Sequence, residues 1–124
     1  MLGYGGTARA ILAELHDNDA YTFVWGRDAQ RVRRACQSFE ASPWPAESAP
    51  EIAISTLPPD VRLPGALIRQ LQRADLVIDA NYGPRATLGR TLRREVVAGD
   101  AMLAAQARAS FDFWLAHLEH VSGA

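Results

Sequence analysis

Two groups of residues in this chain have the types and spacing to do chemistry. The first is Gly3-Tyr4-Gly5-Gly6-Thr7-Ala8, a glycine-rich turn that runs straight into a helical pattern. The free amides and positive dipole end of a helix begun in this way suit a pyrophosphate. Gly3 permits the tight turn, Gly5 and Gly6 let backbone approach phosphate oxygens, and the small Ala8 lets the helix sit close to a sheet. A plain glycine turn between strand and helix has a similar composition; the order glycine turn, helix, strand is what favours binding. The second group is Arg27 and Arg31, one helical turn apart at the end of that next strand. Two guanidiniums can grip a phosphate in forked geometry, whereas a site for a free ribose hydroxyl places an acid there. Asp28 lies between them and either accepts from such a hydroxyl or caps the following helix, capping being the simpler role. The alternative for Arg27 and Arg31 is solvated helix surface.

The elements that must hold these groups read out in order. Ala8, Ile11, Leu12 and Leu15 recur at helical spacing, and Asp17-Asn18-Asp19 ends the run. Residues 21–25 are β-branched and aromatic, as in a strand buried on both faces. A second helix follows Asp28, with Val32, Ala35, Cys36 and Phe39 on its inner face. Residues 41–50 carry three prolines and read as a surface loop around Trp44. Strands are expected at 52–55 and 76–80, with a weak helix at 64–71 between them. A short helix at 87–94, a small strand at Val96-Val97 and a long amphipathic helix from Asp100 onward complete the chain. Strands alternating with helices predict an α/β fold: a Rossmann-like parallel sheet covered on both faces by right-handed crossovers.

At 124 residues, with 48% hydrophobic and 22% charged residues, the chain suits one globular domain. Thirteen basic residues against fourteen acids leave a formal charge of -1, which gives no general attraction for nucleic acid or an anionic membrane. All thirteen are arginine, so a Schiff base, an ammonium acid and a P-loop lysine are excluded within this sequence. The lone Cys36 cannot form an internal disulfide, and no cysteine/histidine cluster has zinc spacing, so no metal site is expected. His16, His117 and His120 lack suitably spaced partners and read as surface residues. No apolar run approaches the roughly 20 residues of a membrane span, and a cytoplasmic location is the default expectation. Only Met1 and Leu2 precede the glycine turn, where a full strand is expected; the sequence therefore reads as part of a larger, N-terminally truncated protein.

The glycine turn, the Gly26-Arg27-Asp28 tip, Ile54-Ser55-Thr56-Leu57-Pro58, Asp79-Ala80-Asn81-Tyr82 with Thr87-Leu88, and the run from Gly99 through Met102-Leu103 to Gln106-Ala107 occur in one order. In that order they resemble the C-terminal NADP-binding domain of shikimate dehydrogenases across nearly the whole chain. The resemblance implies roles. Gly3, Gly5, Gly6 and Thr7 would cradle pyrophosphate, Arg27 and Arg31 would hold the 2′-phosphate of NADP, and Ser55, Thr56 and Leu57 would line the cofactor groove. Ala80 and Gly99 would offer backbone oxygens to the nicotinamide amide, and Tyr82 and Gln106 would reach toward the substrate. Residues 1–99 would form the nucleotide-binding core, with 100–118 a helix facing a substrate domain.

The sequence departs from the family in having Gly26 and Asp28 where asparagine and threonine are common. The family's catalytic lysine and aspartate belong to a substrate domain outside this sequence, so no catalytic residue is assigned within it. The implied reaction of the parent is reversible hydride transfer between NADP(H) and 3-dehydroshikimate/shikimate, quinate being an alternative substrate, and this chain alone is expected to be inactive. Two rival readings are a non-catalytic nucleotide-binding module and an interaction protein that forms a homodimer through the final helix, near Met102, Gln106 and Phe113.

Overall fold

The computed structural model describes residues 1–44 and 48–122, with side chains to 118. All of its strands run parallel. β1 (Phe23–Val24) pairs with β2 (Ser42–Pro43), and β3 (Ile52–Ser55) with β4 (Leu76–Asp79), which in turn pairs with β5 (Val97–Ala98). The two groups are joined by residues 1–3, because Leu2 bridges Trp25 on one side and Ser55 on the other. The ladder there is continuous. The Met1 amine donates to the Phe23 carbonyl at 2.8 Å, and the amides of Trp25 and Gly3 donate to Met1 and Trp25 at 2.9 and 2.8 Å. On the other side Leu2 donates to Ile54 at 2.8 Å and Thr56 to Leu2 at 2.9 Å. The spatial order is thus β2, β1, residues 1–3, β3, β4, β5, a doubly wound sheet whose order reverses beside the N-terminal segment.

Pleating sends alternate side chains to opposite faces, so Met1 and Leu2 enter different cores. Met1 packs with Ala8 and Leu12 of α1 (Gly6–Asp17) and with Val32, Ala35 and Cys36 of α2 (Ala29–Phe39). Leu2 packs with Leu67 and Leu71 of α3 (Gly65–Arg73) and Leu88 and Leu92 of α4 (Leu88–Leu92). Burying Met1, Val32 or any of these leucines contributes about 1.5–3 kcal/mol. Asp28 caps α2, its carboxylate accepting from the amides of Gln30 and Arg31 at 2.9 and 3.2 Å. The C-terminal end of α3 is closed from afar: the Arg94 guanidinium donates to the carbonyls of Leu71 at 3.0 Å, Gln72 at 3.3 Å, and Ala74. Cys36 is buried as expected, and burial pushes its thiol pKa up.

Three expectations need correction. Within 21–25 only Phe23–Val24 forms a strand, and Tyr21 is 86% exposed rather than buried. It instead lines an open cavity of about 590 Å³ with Phe23, Ile52, Ile54, Leu76 and Ile78, where, among the described residues, no strand pairs with it. Residues 41–50 are not simply a surface loop. Ser42–Pro43 adds an edge strand, which tolerates proline because an edge needs amides on one side only, and Trp44 behind it is buried. Residues 45–47 of that expected loop lie outside the described residues. Finally, α5 (Asp100–Ser122) is less one-sided than expected. Phe111, Phe113, Trp114, Leu115 and Leu118 are all exposed, and at about 100° per residue Phe113 and Leu115 point roughly 160° apart.

Candidate functional site

The carboxyl ends of residues 1–3 and β3 meet at the reversal in strand order, the position where open α/β sheets form their crevice. Gly3 turns there with φ +104, a left-handed conformation that favours glycine, and an added Cβ would overlap Thr56 Oγ1. Thr56 is itself tied to the turn, its hydroxyl donating to the Leu2 carbonyl at 3.0 Å. The chain then enters α1 through Gly5, an extended N-cap with no side-chain acceptor and no acid in the first turn. The first amides of α1 at Gly6, Thr7 and Ala8 therefore face the crevice end without a protein carboxylate, and the space beside Gly5 and Gly6 is open.

Thr7 and Thr56 share a cavity of about 200 Å³ with Ala80, Tyr82, Gly99 and Gln106. The structure thus brings together six of the positions singled out in the sequence. Asn81, Met102 and Leu103 complete the wall. Gly99 closes the cavity against backbone: its amide donates to the Asn81 carbonyl at 2.8 Å, and a Cβ there would collide with the Ala80 carbonyl. The Gly99 carbonyl accepts from Leu103 at 2.8 Å, which starts α5. Ser55 and Leu57 stand in the adjoining hollow beside Asp79 and Asn81. Buried Ser55 uses its hydroxyl to accept from the Leu57 amide at 3.3 Å, which shapes the loop after β3.

Asp79 had no role in the sequence reading beyond its place in a motif. It is 1% exposed. One oxygen accepts from the Asn81 amide and side chain at 3.0 and 2.9 Å, and the other from the first amide of α4, Leu88, at 3.3 Å. Asn81 Nδ2 also donates to the Leu57 carbonyl at 2.7 Å. This network ties the loops after β3 and β4 into one wall. A buried acid at the end of an apolar strand, two residues before an asparagine, is the signal that pointed to it.

At the other end of the crevice, Arg27 is exposed at the β1 tip and Arg31 lies over the Tyr4 ring, 5.8 Å from its centroid. Asp28 Oδ2 is 3.9 Å from Arg31 Nε, an exposed pair of small energetic weight. Tyr4 also explains Gly26. A Cβ at 26 would overlap the Tyr4 ring, so a larger residue at the strand tip and this tyrosine exclude one another as placed. Among the described residues no cluster of histidine, cysteine and acidic groups could hold a metal ion, and no helix is long and apolar enough to cross a membrane. His16 and His117 are exposed, the latter stacked on Phe113, while the side chain of His120 lies outside the described residues.

No family model and no curated protein matches the chain. Solved structures do. Shikimate dehydrogenase from Mycobacterium tuberculosis superposes with a TM-score of 0.65 at 24% identity, covering 87% of this chain and 48% of that one. Shikimate dehydrogenase from Aquifex aeolicus gives a TM-score of 0.68 at 20% identity, covering 91% of this chain and 46% of that one. The chain has their fold and spans about half their length.

Proposed function

We propose that this chain is the NADP-binding half of a shikimate dehydrogenase-like oxidoreductase, acting between 3-dehydroshikimate and shikimate. The observation that carries the reading is the uncapped amide end of α1 at the reversal in strand order, beside a cavity that gathers Thr7, Thr56, Ala80, Tyr82, Gly99 and Gln106. The residues fit a dinucleotide. Gly3, Gly5, Gly6 and Thr7 present backbone to the pyrophosphate, and no acid in the first helical turn opposes it. Arg27 and Arg31 favour a 2′-phosphate over a free hydroxyl. Ser55, Thr56 and Leu57 form the wall between the two ends. Ala80 and Gly99 border the nicotinamide end and offer their backbone oxygens to its amide, the Gly99 carbonyl having one lone pair left beside the bond it accepts from Leu103.

When bound, the nicotinamide supplies the hydride. The chain's own residues orient the ring and form one side of the substrate space, where Tyr82 and Gln106 donate to substrate oxygens. Proton transfer falls to a substrate-binding half, because this sequence has no lysine and, among the described residues, no carboxylate lines the cavity; Asp79, in the adjoining hollow, is committed to Asn81 and Leu88. The exposed apolar side chains of α5 are where that half docks.

Titration of the chain with NADPH and NADH, followed by quenching of its tryptophan fluorescence, tests the reading. Binding of NADPH in preference to NADH, with no turnover of shikimate and NADP, is expected. Failure of both nucleotides to bind refutes it.

A further inference from the structure

A groove of about 510 Å³ opens between α1 and α2, starting at Gly5. Three arginines line it: Arg9 from α1, and Arg31 and Arg34 from α2. Arg31 and Arg34 are three residues apart and so share one face of their helix, with Arg9 on the opposite wall. Asp28 is the one acid paired with any of them among the described residues. It approaches only Arg31, at 3.9 Å, while its other oxygen is held by the amides of Gln30 and Arg31. Arg9 and Arg34 have no carboxylate partner among the described residues. Tyr4 lies in the same groove and carries the Arg31 guanidinium on its ring face, which limits that side chain to few orientations.

Three planar donors around one concavity, with their charge largely uncompensated, suit a small dianion with several acceptor oxygens. A phosphate monoester is such a group. The groove is continuous with the uncapped α1 amides through Gly5, so one ligand can present phosphate to both. We propose that the groove seats the ribose 2′-phosphate of the dinucleotide, and that Arg9 and Arg34 join Arg31 in holding it. This rests on the nucleotide reading above and adds two specificity residues to it. Neither was visible in the sequence, because Arg9 and Arg34 belong to different helices and look like ordinary solvated positions on each.

The test compares adenosine 2′,5′-bisphosphate with adenosine 5′-monophosphate, and NADP with NAD, on the full chain and on Arg9→Ala, Arg34→Ala and Arg33→Ala. Arg33 lines a different hollow, with Trp25 and Cys36, and serves as the control. Loss of one charge-assisted contact should weaken the bisphosphate and NADP about ten-fold or more in the first two variants. The monophosphate and NAD should stay within about two-fold, as should every ligand on the control. Equal losses for NADP and NAD would mean that these arginines hold the pyrophosphate instead, and unchanged affinities would mean that the groove holds no phosphate. Either outcome overturns the assignment while leaving nucleotide binding intact. Absence of all four ligands from the unmodified chain would instead sink the nucleotide reading on which it rests.

Discussion

In a polypeptide that starts at Met1 and keeps that residue, acetylating its amine should stabilise the fold and flatten its pH dependence. That amine is buried between β1 and β3 and donates to the Phe23 carbonyl, and burial lowers its pKa from 8.0 to about 5. Between those values the folded chain keeps it neutral while the unfolded chain protonates it. The unfolded state then binds more protons, so stability rises with pH across the window from about 5 to 8 and is lost as pH falls toward 5. At 1.36 kcal/mol per pH unit the whole effect is about 4 kcal/mol, of which roughly 1.4 kcal/mol already acts against folding at pH 7. An acetylated nitrogen keeps its N–H for Phe23 but cannot take a proton. The modified chain should therefore gain roughly 1.4 kcal/mol at pH 7, about 5 °C in Tm for a domain of this size, and progressively more toward pH 5. Urea denaturation of both forms from pH 5 to 8.5, followed by tryptophan fluorescence, reads the difference directly. Identical slopes for the two forms would refute the reasoning, since every other titrating group is common to both.

Gly26→Ala should cost about 1–3 kcal/mol through overlap with the Tyr4 ring, and the cost should largely vanish in a Tyr4→Ala background; additive losses in the double-mutant cycle would disprove the coupling. Arg94→Met, which keeps the stem but leaves the α3 carbonyls without their donor, should lower stability by about 2 kcal/mol in denaturant titrations. Gly99→Ala should lower Tm and weaken NADPH binding together, because the methyl group meets backbone at Ala80 rather than a side chain that can move; a normal Tm and affinity would show that the β4 and β5 ends separate freely.

The regular elements were legible because each rests on local pattern. Leu12, Val32, Leu71 and Val77 announce buried faces by spacing alone, and the alternation of strand and helix fixes the parallel order. What escaped depends on residues distant in sequence. Trp44 looked exposed among prolines, yet it is buried against the core containing Leu2, Ala53 and Leu71. Tyr4 and Gly26 constrain each other across the crevice, and Arg94 reaches back to a helix that ends about twenty residues earlier. The candidate site divides similarly. Its glycines and motif residues could be named from the chain, whereas the Asp79–Asn81 wall and the arginine groove arise only when separate loops and helices come together.

The tight seat of Gly99 on the Ala80 carbonyl has a mechanical consequence. α5 is held at its first turn by the Gly99 amide on Asn81, and by the Asp100 carboxylate, which accepts from the Gly83 amide at 3.3 Å; its side chains from 111 to 118 stand in solvent. A 23-residue helix is about 34 Å long, so it behaves as a boom on a fixed pivot. Tilting it by about 10° swings the far end by roughly 6 Å and moves Gln106, about 10 Å from the hinge, by about 2 Å. Whatever leans on Phe111, Trp114 and Leu118 thus has leverage over the width of the cavity, and a ligand wedged between Thr7 and Gln106 would set the angle at which that outer arm meets its load.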